Sequence, residues 1–387
     1  MRKQITLVLL VLMIGLFGGS LAEESFLRIN SFSEGMAAVQ NLEGLWGYID
    51  RSGKIVIPCE WEEAGEFNGG IASVRKGWKY GCINASGQLV IACEWNGYSP
   101  ISFSEGLAPV QNNDGLWGFI DTTGTIIIPC EWEGVMSPRF SEGLAAVEKD
   151  GTMGFINKVG EIVIPCQYKY CNAFSRGYAS VQDDEGLFFI DGTGEMAFAE
   201  FPRAIQADSF REDGIAFLGF DDYTGVFIDT KGQILCTLSN EYRLRSNFHE
   251  GLAGVAKQND QGEWSGCEGY IDQTGAVAIP LELYSSYYGF ANGRACIPDR
   301  LVSDKNVRYG VIDHSGTLIY PFMLDKVVEF TDSVAAAVQD KRSGAINSDG
   351  TVVVPFLYDD VKIGDGTILC LCEGQISLFD YGGNKLN

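Results

Sequence analysis

Eleven cysteines, two histidines, 51 aspartates and glutamates and seven tryptophans are the side chains of this 387-residue chain that could react, ligate or bind. Their spacing assigns them little chemistry. Cys59, Cys93, Cys130 and Cys166 each follow a similar apolar run. If those runs are strands of successive repeats, the thiols stand about three strand widths of 4.8 Å apart. A disulfide needs Cα atoms within about 7 Å, so these cysteines read as small buried hydrophobes. Cys166 and Cys171 form the one short-loop pair of interest. No C-x-x-C occurs, so a thioredoxin-like or zinc-ribbon reading has no support. His249 and His314 lie far apart in the chain, and two turn-sited histidines define neither a metal site nor a catalytic dyad. H-E-x-x-H, G-x-S-x-G, the P-loop and a strand-to-helix G-x-G-x-x-G are all absent.

The carboxylates are numerous enough to contain a glycosidase pair, which needs two acids about 5 or 6.5–9.5 Å apart. Yet Glu34, Glu105, Glu142 and Glu250 recur in F-[SH]-E-G, and Asp50, Asp121, Asp191, Asp229, Asp272 and Asp313 recur in D-x-x-G. An active site is needed once, so acids repeated throughout a chain are structural first. The reading is no catalytic residue, no cofactor and no metal. Trp61, Trp95 and Trp132 occupy one position of successive repeats. They form a candidate ligand-binding aromatic row, although covering the core is the simpler role for them.

The elements that position these residues follow from repetition. An [Asp/Asn]-x-x-Gly tetrapeptide after an apolar pair begins at Asp50, Asn84, Asp121, Asn157, Asp191, Asp229, Asp272, Asp313, Asn347 and Asp380, about 37 residues apart. Before it stand an aromatic-to-glycine segment such as Phe32-Ser33-Glu34-Gly35, a short run with alanine second (Met36-Ala37-Ala38-Val39), and a strand such as Trp46-Gly47-Tyr48-Ile49. After it comes a β-branched strand, Lys54-Ile55-Val56-Ile57, closed by Pro58. The Asp or Asn side chain accepts from amides beyond it and glycine closes a type I turn with a bulge. That geometry predicts Asp50 opposite Lys54, Ile49 opposite Ile55, Tyr48 opposite Val56 and Gly47 opposite Ile57. Both faces of such a hairpin are apolar, so neighbours must cover both.

The units resemble the WG-repeat family of bacterial tandem-repeat proteins. The likeness rests on F-S-E-G-L-A-x-V at Phe140–Val147, on W-G-[YF]-I-D-x-x-G at Trp46–Gly53 and Trp117–Gly124, and on the I-V-I-P runs. It covers nearly all of 26–387, as nine units and a partial tenth. Only Trp46 and Trp117 hold the defining Trp-Gly pair; Tyr80, Met153 and Tyr309 stand there elsewhere, and the units around Asp191 and Asp229 lack the glycine too. The resemblance implies an architecture more than an activity. The expected fold is all-β, a tandem array of antiparallel β-hairpin repeats of about 37 residues, open and solenoid-like. Nine to ten units of three strands favour the open array over the alternative, a closed propeller-like ring of four to eight four-stranded blades.

Residues 1–22 read as a signal peptide: Arg2 and Lys3, an apolar run from Ile5 to Phe17, and Ser20-Leu21-Ala22 before the expected cut. The remaining 23–387 is expected to be secreted or extracytoplasmic, without insertion in a membrane. A net charge of −23 disfavours nucleic acid and anionic lipid as partners. The first-ranked function is an exported, non-enzymatic binding or scaffold protein whose repeat surface engages a protein or peptide. The alternative is a repeat protein binding glycan or cell-wall carbohydrate, and the third is a hydrolase with an unrecognised acidic site.

Overall fold

The computed structural model describes residues 25–386 apart from 98–99, 135–137, 200, 202–203, 221–223, 259–263, 284–288, 300–306 and 327–328. The expected leader lies outside these residues, as do long parts of the enlarged loops between Asp229 and Asp313. The described residues form ten small antiparallel sheets, six of four strands and four of three, each strand pairing with its neighbours in sequence. The first sheet shows the plan: β1 Phe26–Ser33, β2 Met36–Asn41, β3 Trp46–Asp50 and β4 Ile55–Trp61.

The D-x-x-G turn closes β3 onto β4. Asp50 Oδ1 accepts from the Ser52 amide at 2.8 Å and the Lys54 amide at 3.2 Å, and the Gly53 amide donates to the Asp50 carbonyl at 2.9 Å. The Ser52 hydroxyl, followed by these amides, holds the Asp50 carboxyl below its ordinary range. Pairing then departs from the expected register. Ile49 does oppose Ile55, but Tyr48 opposes Ile57 and Trp46 opposes Trp61. Val56 is therefore an extra residue in a bulge, and a second irregularity takes up Pro58 and Cys59. Pro58 does not end the strand, because it stands where the ladder asks no N–H of it. The outer strand's backbone crosses directly over Gly47, whose Cβ, were there one, would lie 2.5 Å from the Ile57 carbonyl oxygen. The same close approach recurs at Gly81, Gly118 and Gly154, so the glycine after the Trp position is required by the bulge opposite it.

The core lies between the sheets. Ala38, Tyr48, Ile57 and Trp61 of the first sheet pack against Phe67, Ala72, Val74 and Ile83 of the second. In several units an aromatic from the strand before the D-x-x-G turn meets the Phe entering the next sheet: Tyr48 and Phe67, Phe119 and Phe140, and Phe155 and Phe174 all have ring centroids 4.8 Å apart. Small alanines at 37, 72, 108, 145 and 179, all buried, let the second strands sit close to both neighbours. The D-x-x-G glycines seat on the preceding sheet as well, Gly124 on the Ile91 side chain and Gly160 on Ile128.

The open array is overturned by what covers the first sheet. Phe26, Ile29, Phe32, Ala37, Val39 and Ile49 pack against Leu369, Leu371 and Leu378 of the last sheet. The Phe26 amide donates to the Gly374 carbonyl at 2.8 Å. Asp365 Oδ2 accepts from the Gly35 amide at 2.7 Å and pairs with Arg51 at 3.1 Å. The chain is a closed ring of ten sheets. Units with two apolar faces leave two bare ends in an open stack, and closure buries both. Ring size is larger than the propeller range that argued against closure, because each sheet is narrow and its alanines allow close neighbours.

Cys166 and Cys171 form no disulfide with each other, and burial pushes the thiols of Cys82, Cys171 and Cys370 up to about 12. Two substitutions test the arrangement. Gly124→Val is expected to lose about 1–3 kcal/mol in denaturant melts, since Gly124 has a φ of 85° and a Cβ there would lie 3.3 Å from Ile91; an unchanged midpoint contradicts the turn. Asp365→Ala should cost about 1 kcal/mol. In an open array that aspartate would have no partner in the first sheet, so equal melts for the variant and the parent would refute closure.

Candidate functional site

The turns between first and second strands, the F-S-E-G segments, lie on one face of the ring together with the D-x-x-G turns. In the first unit Glu34 has a φ of 51° and Gly35 a φ of 80°, the two left-handed residues of a tight two-residue hairpin. This turn reaches to its neighbour. The Ser33 hydroxyl donates to the Phe67 carbonyl at 2.7 Å, and the Glu34 carboxylate accepts from the Gly69 and Gly70 amides at 2.7 and 2.8 Å. Ser141 and Glu142 repeat both contacts on Phe174, Arg176 and Gly177. Glu105 accepts from Gly143, with the Lys158 ammonium and that amide holding its carboxyl low. Glu250 accepts from Gly293 at 2.8 Å, and Asp365 on Gly35 is the closing member. The recurrent glutamates are thus latches between sheets. They were flagged in the sequence as structural, and their partners lie one repeat away, where no local pattern displays them.

The glutamate latch lapses between the fifth and seventh sheets, while the Ser175 hydroxyl still donates to the Phe210 carbonyl at 2.6 Å. Arg176 replaces the glutamate, and it donates instead to the Glu212 carbonyl. The next turn is longer, Phe210-Arg211-Glu212-Asp213-Gly214, and neither Glu212 nor Asp213 latches onto the sheet that follows; Asp213 caps its own turn at the Ile215 amide, 3.1 Å away. Here a cleft of about 1080 Å³ opens, lined by Asp208, Arg211, Asp213, Asn247, His249 and Glu250 among others. Asn247 Nδ2 donates to Asp208 at 2.7 Å, and Arg211 Nη2 lies 3.2 Å from His249 Nδ1. A guanidinium only donates, so Nδ1 accepts and the ring is in the Nε2–H tautomer. Its other edge lies against the Cα of Gly289, where no side chain would fit. Burial first, and then the Arg211 charge, lowers the His249 pKa from its ordinary 6.5, against the opposing pull of Asp213 and Glu250.

Both histidines come to this face, since His314 Nε2 lies 3.0 Å from Glu250 Oε2. They do not assemble a metal centre: among the described residues no three His, Cys, Asp or Glu side chains are grouped to hold an ion. Trp61, Trp95 and Trp132 are 3%, 8% and 3% exposed and pack inside the intersheet core. They present no face to a ligand, because each is the last residue of an outer strand turned inward against the next sheet. Another cleft, about 710 Å³ on the opposite face, is bordered by Arg308, which pairs with both Asp325 and Asp340.

A closed ring of narrow antiparallel sheets defines a β-propeller-like repeat protein. The chain belongs to the family built from the WG containing repeat, whose model matches 46–80, 80–115, 117–152, 153–186, 269–297, 309–342 and 344–363. The cleft's Asp208–Asp213 and Asn247–Glu250 fall between the fourth and fifth of these stretches. No curated protein matches the chain. Among solved structures it is similar to a eukaryotic initiation factor, at 9% identity and a TM-score of 0.47 over 94% of this chain and 95% of that one. It is also similar to BamB from Moraxella catarrhalis, at 11% identity and a TM-score of 0.36 over 92% and 96%. Likeness at this level carries no argument about function.

The His249 environment has a direct test. Imidazole titration by NMR is expected to place His249 below 6.5, and Arg211→Gln should move it upward. The folded form binds the proton less readily than the unfolded form, so this residue's contribution to stability is present above pH 6.5 and lost as pH falls through the lowered folded value. A titration at or above 6.5 contradicts the contact with Arg211.

Proposed function

We propose that this chain is an exported, non-enzymatic scaffold that engages a protein or peptide at the F-S-E-G face, over the fifth to seventh sheets. The observation that carries the reading is the coincidence of the cleft of about 1080 Å³ with the lapse of the latch. Where Ser and Glu occupy the rim, as at Ser33-Glu34 and Ser141-Glu142, they are consumed in joining sheets; here Arg211 and Glu212 stand in a concave, polar space. Such a space, with a few aromatics such as Phe210 and Phe248 at its floor, suits an extended peptide or a loop. Export rests on the leader pattern at 1–22, and the absence of an enzymatic role on the purely structural duty of the repeated acids. The glycan alternative loses the aromatic row on which it rested, because those indoles are interior.

A displayed random-peptide library selected against the protein tests the site. Enriched peptides should bind the parent and lose at least tenfold in affinity on Ser209→Trp, which fills the cleft, with the melting temperature of the variant as a folding control. No enrichment, or equal binding by a folded variant, refutes the reading.

A further inference from the structure

Arg211 is the one strong cation that points into this cleft without an acidic partner. Its only side-chain bond among the described residues is the donation to His249 Nδ1, at 3.2 Å. The other N–H groups of its guanidinium fork meet no acceptor among the described residues. The cleft's acids are occupied elsewhere: Asp208 holds Asn247, Asp213 caps its own turn, and Glu250 holds both the Gly293 amide and His314. None of them is within ion-pair distance of Arg211, although Asp213 and Glu250 are near enough to act on His249. Arg176, one turn back, likewise has no carboxylate on its guanidinium and donates to the Glu212 carbonyl. Two guanidinium side chains and a histidine therefore occupy successive rim turns of a chain that carries a net charge of −23.

We infer that Arg211, backed by His249, is an anchor for a carboxylate of the bound peptide. This assignment rests on the proposed peptide-binding role of the cleft and names the group the cleft reads. The planar fork matches a carboxylate with two parallel N–H···O bonds, which a point cation does not. His249 fixes one arm of the fork, so less side-chain freedom is lost when the second arm is engaged. The surrounding acidity narrows the partner further. A wholly acidic segment is repelled at long range by the ring's charge, so the fitting ligand is neutral or basic overall and presents one carboxylate, from a Glu or Asp side chain or from a chain terminus.

Matched peptides test this with the intact protein. Ac-Lys-Gly-Glu-Gly-Lys-NH2 is compared with its Gln analogue, with Ac-Lys-Gly-Lys-Gly carrying a free C-terminus, and with inorganic phosphate. The readout is the imidazole NMR signal of His249, distinguished from the only other histidine by His314→Gln. Non-specific attraction to an acidic protein favours the more basic Gln peptide, whereas the anchor favours the Glu peptide. The expected result is a His249 shift and at least tenfold tighter binding for the Glu peptide, the free C-terminal peptide, or both, over the Gln analogue, with the preference lost in Arg211→Gln. Response to the two carboxylate arms tells a side-chain ligand from a terminal one. Equal binding of Glu and Gln peptides overturns the anchor without any variant, and a response to phosphate as strong as to carboxylate overturns its selectivity. Cleft-dependent peptides from the library that carry no carboxylate would refute this assignment and leave the binding role standing.

Discussion

A sheet of three or four strands that is apolar on both faces cannot exist alone, and every feature of this chain answers that constraint. The apolar area of Tyr48, Ile57 and Trp61 is removed from water only when Phe67, Ala72 and Val74 of the next unit arrive. Stacking passes the exposed face along without removing it. The ring disposes of it at the last step, where Leu369, Leu371 and Leu378 meet Phe26, Ile29 and Phe32. Closure is thus the condition under which the other nine junctions leave no residue of bare surface, and the chain needs no capping unit at either end.

The polar details serve the same junctions. Burying a face is non-directional, and it would allow neighbouring sheets to slide. The Glu34 carboxylate on two amides and the Ser33 hydroxyl on a carbonyl are directional, and they set the register of one sheet on the next. On the same face Gly124 and Gly160 sit against isoleucines of the preceding fourth strand, so the turn that ends one hairpin also spaces two sheets. A residue such as Gly124 or Glu34 is fixed twice, by its own positive φ and by a contact one repeat away. That double demand explains why such short patterns recur along the chain.

How much of this the sequence exposes depends on the range of the interaction. The D-x-x-G turn and the pair Ile49 with Ile55 are legible because Asp50, Gly53 and Lys54 bond within five residues. The bulges at Val56 and Pro58 are less so: periodicity of two along Ile55–Ile57 favours a regular ladder, and only the glycine at 47 hints that a backbone must pass over it. Closure is hidden for a related reason. Strand and unit counts favour an open array, whereas the deciding contact joins residues more than 300 positions apart, Asp365 to Gly35. The tryptophan row was visible as a row, but equal spacing does not say whether a residue is turned to solvent or to the next sheet, and the register Trp46 with Trp61 turns it inward. The cleft was the least legible. Arg211 and His249 stand at corresponding rim positions that earlier units give to serine, and a reading that averages over repeats treats such departures as noise.

That last point bears on where function can reside in such a ring. Ten equal units present ten equal rims, and an equal rim has its serine, glutamate and amides already spent on holding sheets together. Specific recognition needs polar groups that are unspent and a concavity to hold them, and both require that the repeat fail somewhere. The failure must also be affordable, since a lost latch weakens a junction. At the sixth sheet the loss is offset by packing: Phe210 contacts Phe189, Phe198 and Tyr178, with ring centroids 5.1 to 6.0 Å apart, and Phe248 sits 4.5 Å from Phe227. This aromatic-rich stretch is therefore the part of the ring best able to release its rim from structural duty. The cleft lies where aromatic packing supports the junction and the glutamate latch is missing.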